Sequence, residues 1–366
     1  MTVSDKAFLD LEASLSAELL PAWERMNNRV SASVAKAVED GELNRVDDIL
    51  NTMNPELLYA GKVKKMEFIL KTGLIFGASR ISNSTKSLRV MDDEEIMEIV
   101  PVARKQYELQ ISEIMKTIKR RIKDAAIKAR ERLDWEADRA AEADVSKVEV
   151  QKVNPINVPN TIKAAGGKAG TNMINIASSL QMSRMSQYGF LIEARTRGLV
   201  KYEVSEQLDN RTCPVCRRMD GRVFEIGPAL AKVDTQIRIT DPADLKFLAP
   251  FPRQDQESLK ELDRYSPEEL QQKGFNTPPY HPMCRGLLKM AKSEPNLQSV
   301  NTTSVVEGFK PSPPIQPRVA DVLESPAAAS LSDAQRSTII AASAGVAEFA
   351  DLPEDIQRII EELDVA

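Results

Sequence analysis

"LDNRTCPVCRRMDGRVF" at residues 208–224 and "TPPYHPMCRGLL" at 277–288 hold Cys213, Cys216, His281 and Cys284. The 366-residue chain has three cysteines and one histidine, so these two stretches contain every thiol and every imidazole in the protein. Each pair is separated by two residues, a gap that lets a tight turn point both side chains at one ion. Together they make the Cys3His set of a closed, tetrahedral, structural zinc site. Joining the pairs closes a loop of about 64 residues at an entropic cost of about 4 kcal/mol. A structural zinc ion supplies roughly 10 to 16 kcal/mol in small peptides, so the metal outweighs the loop. The expected fold therefore centres on one Zn2+ that clamps two strand-and-turn segments, in a domain that is poorly folded without it.

The flanking sequence supplies those segments. "LVKYEVSEQLD" alternates as a half-buried strand does, the Asp220-Gly221 turn leads into a second strand at "RVFEI", and "RGLLKM" after Cys284 reads as a third. A helix is expected from Thr171 to Thr196, stopped by Gly198, with Met173, Leu180, Met182 and Met185 on its packing face. Residues 231–276 read as a loop-rich excursion with short helices, one of them capped by Ser266 with Pro267 at its first position.

Further out, residues 1–145 look helical almost throughout. Tyr107, Ile111, Ile114, Ile118, Ile122, Ala126, Ala129 and Leu133 recur every three or four residues, one apolar stripe on a long helix. Asp92, Asp93, Glu94 and Glu95 crowd the start of that helix, as its macrodipole favours, and Pro101 marks a kink or a break. This region is expected to be an elongated bundle or hairpin. Residues 146–170, ending "VNPINVPNTIKAAGGKAG", read as a linker; the glycines lack the spacing of a phosphate-binding loop. Residues 291–366 form a Pro/Ala/Ser-rich acidic tail with two short helices, one opened by Ser332 and Gln335 as a capping box and one with Pro353 in its first turn. Such helices either dock on the protein's own core or bind a partner. The fold class is thus α+β: an elongated N-terminal helical region, a small zinc-pinned α+β domain over 171–290 and a flexible acidic tail.

Charge and chemistry narrow the function. The formal charge is −5, but residues 291–366 carry twelve acidic and five basic side chains, which leaves 44 basic against 42 acidic in the rest. That balance is not the signature of a dedicated nucleic-acid binder. One helix face, with Lys116, Lys119, Arg120, Arg121, Lys123, Lys128, Arg130 and Arg132 against Asp124 and Glu131, either tracks phosphates or is simply solvated. No apolar run is long enough to cross a membrane, and the start has neither a basic n-region nor an apolar h-region, so a soluble, unsecreted chain with no membrane partner is expected. Catalysis is not expected. A hydrolytic zinc keeps a position open for water, the nucleotide deaminases need a His-x-Glu that His281-Pro282-Met283 lacks, and a cysteine nucleophile would spend the histidine as its base.

The two quoted stretches resemble the C-terminal signature of phage head morphogenesis proteins, the minor capsid proteins similar to protein F of phage Mu. The matching positions are Asp209, Thr212, Cys213, Cys216, Asp220, Gly221, Pro278, Pro279, His281, Pro282, Cys284 and Arg285. The resemblance covers residues 171–290 and leaves out the N-terminal helices and the tail. Many relatives read Cys-Arg-Cys at the end, where this chain has Cys284-Arg285-Gly286. The resemblance implies a low-copy virion protein of the phage head, made in the host cytoplasm, that works near the portal with the portal or major capsid protein and helps head assembly or the delivery of packaged DNA, which the basic helix face is the candidate to touch. It implies no catalytic activity. The competing classes are a cellular zinc-module adaptor and a zinc-dependent hydrolase.

Overall fold

The computed structural model describes residues 3–81, 93–146 and 156–292. In chain order its helices and strands are α1 (Val3–Glu39), α2 (Val46–Asn51), α3 (Glu56–Tyr59), α4 (Val63–Ser79), α5 (Asp93–Ser146), α6 (Val158–Thr196), β1 (Lys201–Ser205), α7 (Pro214–Met219), β2 (Val223–Glu225), α8 (Ile226–Arg238), α9 (Pro242–Leu248), α10 (Gln256–Arg264), α11 (Pro267–Gln272) and β3 (Leu287–Met290). The architecture is α+β: long helices and one small antiparallel sheet of order β2-β1-β3. The expected tail over 291–366, with its capping box at Ser332, lies outside the described residues from 293 onward.

The chain divides into two compact units that do not follow the expected sequential order of 1–145 and then 171–290. One comprises Glu12–Met66 and Tyr107–Ser178; the other takes Met1–Leu11, Glu67–Gln106 and the chain from Ser179 onward. The expected linker at 146–170 also needs correction, because α6 begins at Val158 and runs through the glycine-rich stretch. These glycines make room for neighbours. A Cβ on Gly170 would lie 2.2 Å from the Trp23 ring, and one on Gly166 would lie 2.1 Å from Asn27 Oδ1. Trp23 Nε1 and Asn27 Nδ2 reach the carbonyls of Gly167 and Lys163 at 3.5 and 3.4 Å. Close helix packing, which the sequence alone does not display, outweighs the low helix propensity of glycine.

In that same helical unit the α5 stripe faces inward. Tyr107, Ile111, Ile118, Ile122, Ala126 and Ala129 are buried, while Ile114 and Leu133 are half-buried. The Tyr107 hydroxyl meets Ser178 Oγ at 2.6 Å. α5 continues through Pro101 as one helix, so the break into two helices, one of the two expected outcomes there, does not occur.

The other unit carries the sheet. Residues 181–194 of α6 are all buried, so this part of the helix is a core element on every side. Met182 and Met185 lie in that core, whereas Met173 and Leu180 are half-buried. Its backbone touches α4 closely, with a Cβ on Gly77 falling 1.7 Å from the Ser186 carbonyl oxygen. Gly198 ends α6 at φ 74°. β1 pairs with β2 through Tyr202↔Phe224 and with β3 through Val204↔Leu288, as the three apolar segments led one to expect. The excursion at 231–276 is mostly helical rather than loop-rich, because α8 presents an apolar side carrying Ala229, Leu230, Val233 and Ile237. Ser266 caps α11 with the reciprocal Glu269 bond of a capping box.

Candidate metal centre

The cysteine turn hangs from the end of β1. Asp209 N donates to Thr212 Oγ1 at 2.7 Å and Arg211 N to Asp209 Oδ1 at 2.8 Å, folding residues 207–212 into a compact loop. Cys213 then caps α7, its sulfur accepting from Cys216 N at 3.3 Å, with Pro214 at the first helical position. The second pair follows Pro278-Pro279, whose peptide bond is cis. Met283, between His281 and Cys284, adopts φ 61°, and Cys284 N donates to the His281 carbonyl at 3.2 Å.

The two halves converge. Cys216 Sγ lies 3.2 Å from His281 Nε2 and 3.7 Å from Cys284 Sγ. The ligand atoms of Cys213, Cys216 and His281 all lie within 4.8 Å of one another. Cys213, Cys216, His281 and Cys284 are thus clustered so that they could hold a metal ion. With metal–sulfur bonds of about 2.3 Å, two thiolates on a tetrahedral zinc stand about 3.8 Å apart, close to the Cys216–Cys284 separation. The imidazole is oriented as a ligand should be. Nδ1 lies 2.7 Å from the Pro282 carbonyl, which selects the Nδ1–H tautomer and leaves the Nε2 lone pair facing Cys216.

Two anchors outside the cluster tie the halves. Arg285, next to Cys284, makes two 2.8 Å bonds to the Asp209 carboxylate and a third to Gln207 Oε1, joining one loop directly to the other. That guanidinium holds the Asp209 carboxyl well below the usual carboxylate range. On the other side, the buried Lys232 ammonium donates to Gly274 O at 2.6 Å, Thr277 Oγ1 at 2.9 Å and Asn276 Oδ1 at 3.2 Å, holding the strap that leads to His281. Burial pulls Lys232 down to about 7, while its three acceptors favour the charged form. Asp209 and Arg285 lie in the two Cys/His stretches that the sequence marks out, although nothing in the sequence pairs them. Lys232 lies outside both, and a lysine inside a helix gives no sequence sign of being buried.

A fifth polar group was missed. Glu206 is 9% exposed, and its carboxylate oxygens lie 3.8 and 4.0 Å from Cys284 Sγ. Burial, with the Cys284 charge beside it, pushes Glu206 up to about 9. The two inner thiols share their contact unequally. The Cys216 thiol beside Cys284 draws Cys284 down to about 6, and the same contact with burial drives Cys216 far up. Period-2 alternation from Tyr202 through Val204 to Glu206 was the available signal, because it puts a carboxylate on the core side of β1.

The basic residues of α5 are not part of this centre. Lys116 pairs with Glu113, Lys123 with Asp47, Arg130 with Asp134 and Arg132 with Glu136. Arg132 also covers the Trp135 ring at 4.3 Å. Arg120, Arg121 and Lys128 are exposed, Lys119 is half-buried, and none of these four makes an ion pair with a described residue. No helix among the described residues is long and apolar enough to cross a membrane. In comparisons with protein-family models, curated proteins and solved structures, the chain matches none.

Proposed function

We propose that this chain is a minor head protein of a tailed phage, a structural and assembly component acting near the portal, with one zinc ion clamping its sheet-bearing unit. The observation that carries the reading is the convergence of the two Cys/His pairs, together with the contacts of Asp209, Thr212, Asp220, Gly221 and Arg285 around them. Asp209 and Arg285 join the two loops, Thr212 braces the cysteine turn, and the Asp220-Gly221 turn closes the β1–β2 hairpin through Gly221 N to Val204 O at 2.9 Å. Each of these residues shapes the clamp.

Cys213, Cys216, His281 and Cys284 would hold the ion. Four protein donors complete a zinc tetrahedron, so the ion supplies folding free energy and offers no position to a substrate. The portal or major capsid protein is the partner class, with virion and host cytoplasm as locations. Lys119, Arg120, Arg121 and Lys128 of α5, which make no ion pair with a described residue, are available to packaged DNA.

Metal analysis of freshly purified protein tests the centre: about one zinc per chain is expected, and Cys216→Ser should lose it. The head assignment has its own measurement. Quantitative mass spectrometry of purified particles should find a few copies of this chain beside the major shell protein; absence from mature particles, despite expression, would count against it.

A further inference from the structure

Glu206 has a place in the centre that a four-ligand clamp leaves unused. Its carboxylate makes no ion pair among the described residues and turns both oxygens toward Cys284 Sγ. Glu206, Cys216 and Cys284 form a second three-donor group, again with ligand atoms within 4.8 Å of one another, and it shares Cys216 with the group of Cys213, Cys216 and His281. The groups differ in depth. Cys216 and Cys284 are 2% and 1% exposed and Glu206 9%, whereas Cys213 and His281 are half-exposed.

The surroundings of the carboxylate are shaped to it. A Cβ at residue 286 would stand 2.3 Å from Glu206 Oε1, so Gly286 leaves the space the carboxylate occupies. The Tyr280 hydroxyl, on a side chain 1% exposed, has no hydrogen-bond partner among the described residues and lies within electrostatic reach of Glu206, Cys284 and Cys216. Buried donors of this kind are costly to keep together unless a cation joins them, and a divalent ion removes that cost.

We propose that Glu206 is a fifth donor of the centre, an oxygen ligand that holds the ion together with Cys216 and Cys284 when Cys213 or His281 lets go. The proposal rests on the four-ligand metal reading and extends it to how the ion enters and leaves. The half-exposed Cys213 and His281 form the entry side. Glu206 forms the inner side and retains the ion while an outer ligand is exchanged. Carboxylate oxygen is an ordinary zinc donor, so the exchange needs no other group.

The test uses the full chain loaded with zinc and a chromophoric chelator as acceptor. E206Q keeps the four Cys/His ligands and should release zinc about tenfold faster than wild type, at the lower end of what neighbours of a metal site contribute. In equilibrium titrations H281A should still take up one zinc, and H281A/E206Q should bind at least about tenfold more weakly than H281A. Should H281A fail to fold, the release rate of E206Q decides alone. Release from E206Q at the wild-type rate, or equal binding by H281A and H281A/E206Q, would overturn the fifth donor and leave the clamp standing. A wild-type protein without zinc would overturn both.

Discussion

Met283 shows how much the second half-site depends on its surroundings. It holds φ 61° with half of its surface exposed, in a region that costs a non-glycine residue about 1–2 kcal/mol. The turn is held in place by the Cys284 N–H bond to His281 and by whatever the two ligands grip. Met283→Gly should therefore stabilise the zinc-loaded protein by up to about 1 kcal/mol, seen as a higher melting temperature, and Met283→Val should destabilise it, since a β-branched residue fits that region worse. Gly286→Ala should weaken zinc retention, because its new Cβ collides with Glu206 Oε1. That collision gives position 286 a reason to be glycine. Arg285→Lys keeps the charge but loses the paired bonds to Asp209, and a lower melting temperature is expected from calorimetry.

At the scale of elements, glycine is the residue most easily misread. "AAGGKAG" looks like a flexible joint, yet it lies within α6 and lets Trp23 and Asn27 of α1 approach. The same logic governs α4, where Gly77 meets the Ser186 backbone. Gly77→Ala should cost about 3 kcal/mol or more, at the upper end of overpacking, because the obstructing atom is backbone and cannot rotate away. Gly227 near the start of α8 has no atom within 4 Å of an added Cβ, so Gly227→Ala should be neutral or stabilising by under about 1 kcal/mol. Chemical denaturation of the two variants side by side checks both signs. The strands and caps were easier to read, since the alternation of "KYEVS" and the Ser266-Pro267 start are local signals. Period 2 and capping survive whatever packs against them.

For the whole molecule, the two units predict an uneven response to metal removal. The centre lies wholly in the unit with the sheet, whereas Glu12–Met66 and Tyr107–Ser178 have their own packed stripe and hydrogen bonds. Chelation followed by limited proteolysis should open cleavage sites around 206–222 and 274–286 first, with the helical unit remaining protected; uniform digestion would count against a local clamp. DNA contact is a separate matter of charge. Binding through Lys119, Arg120, Arg121 and Lys128 should weaken steeply with salt, and their joint replacement by glutamine should flatten that slope. Salt-insensitive binding, or none at low salt, would return this face to plain solvent.

The sequence by itself determined which thiols and imidazole could serve a metal, the three strands, the capped helix and the apolar stripe of α5. Each of these is written in a local spacing of two, three or four residues, and the chain has no other thiol or imidazole to offer a metal. Only the tertiary structure decided the rest. It interleaved the chain into two units, turned the supposed linker into helix, buried Lys232 beneath the strap and set Glu206 against Cys284. These features depend on which distant surfaces meet. A glycine, a lysine or a glutamate acquires its role from the neighbour that packs against it, and in this chain those neighbours lie tens to hundreds of residues away.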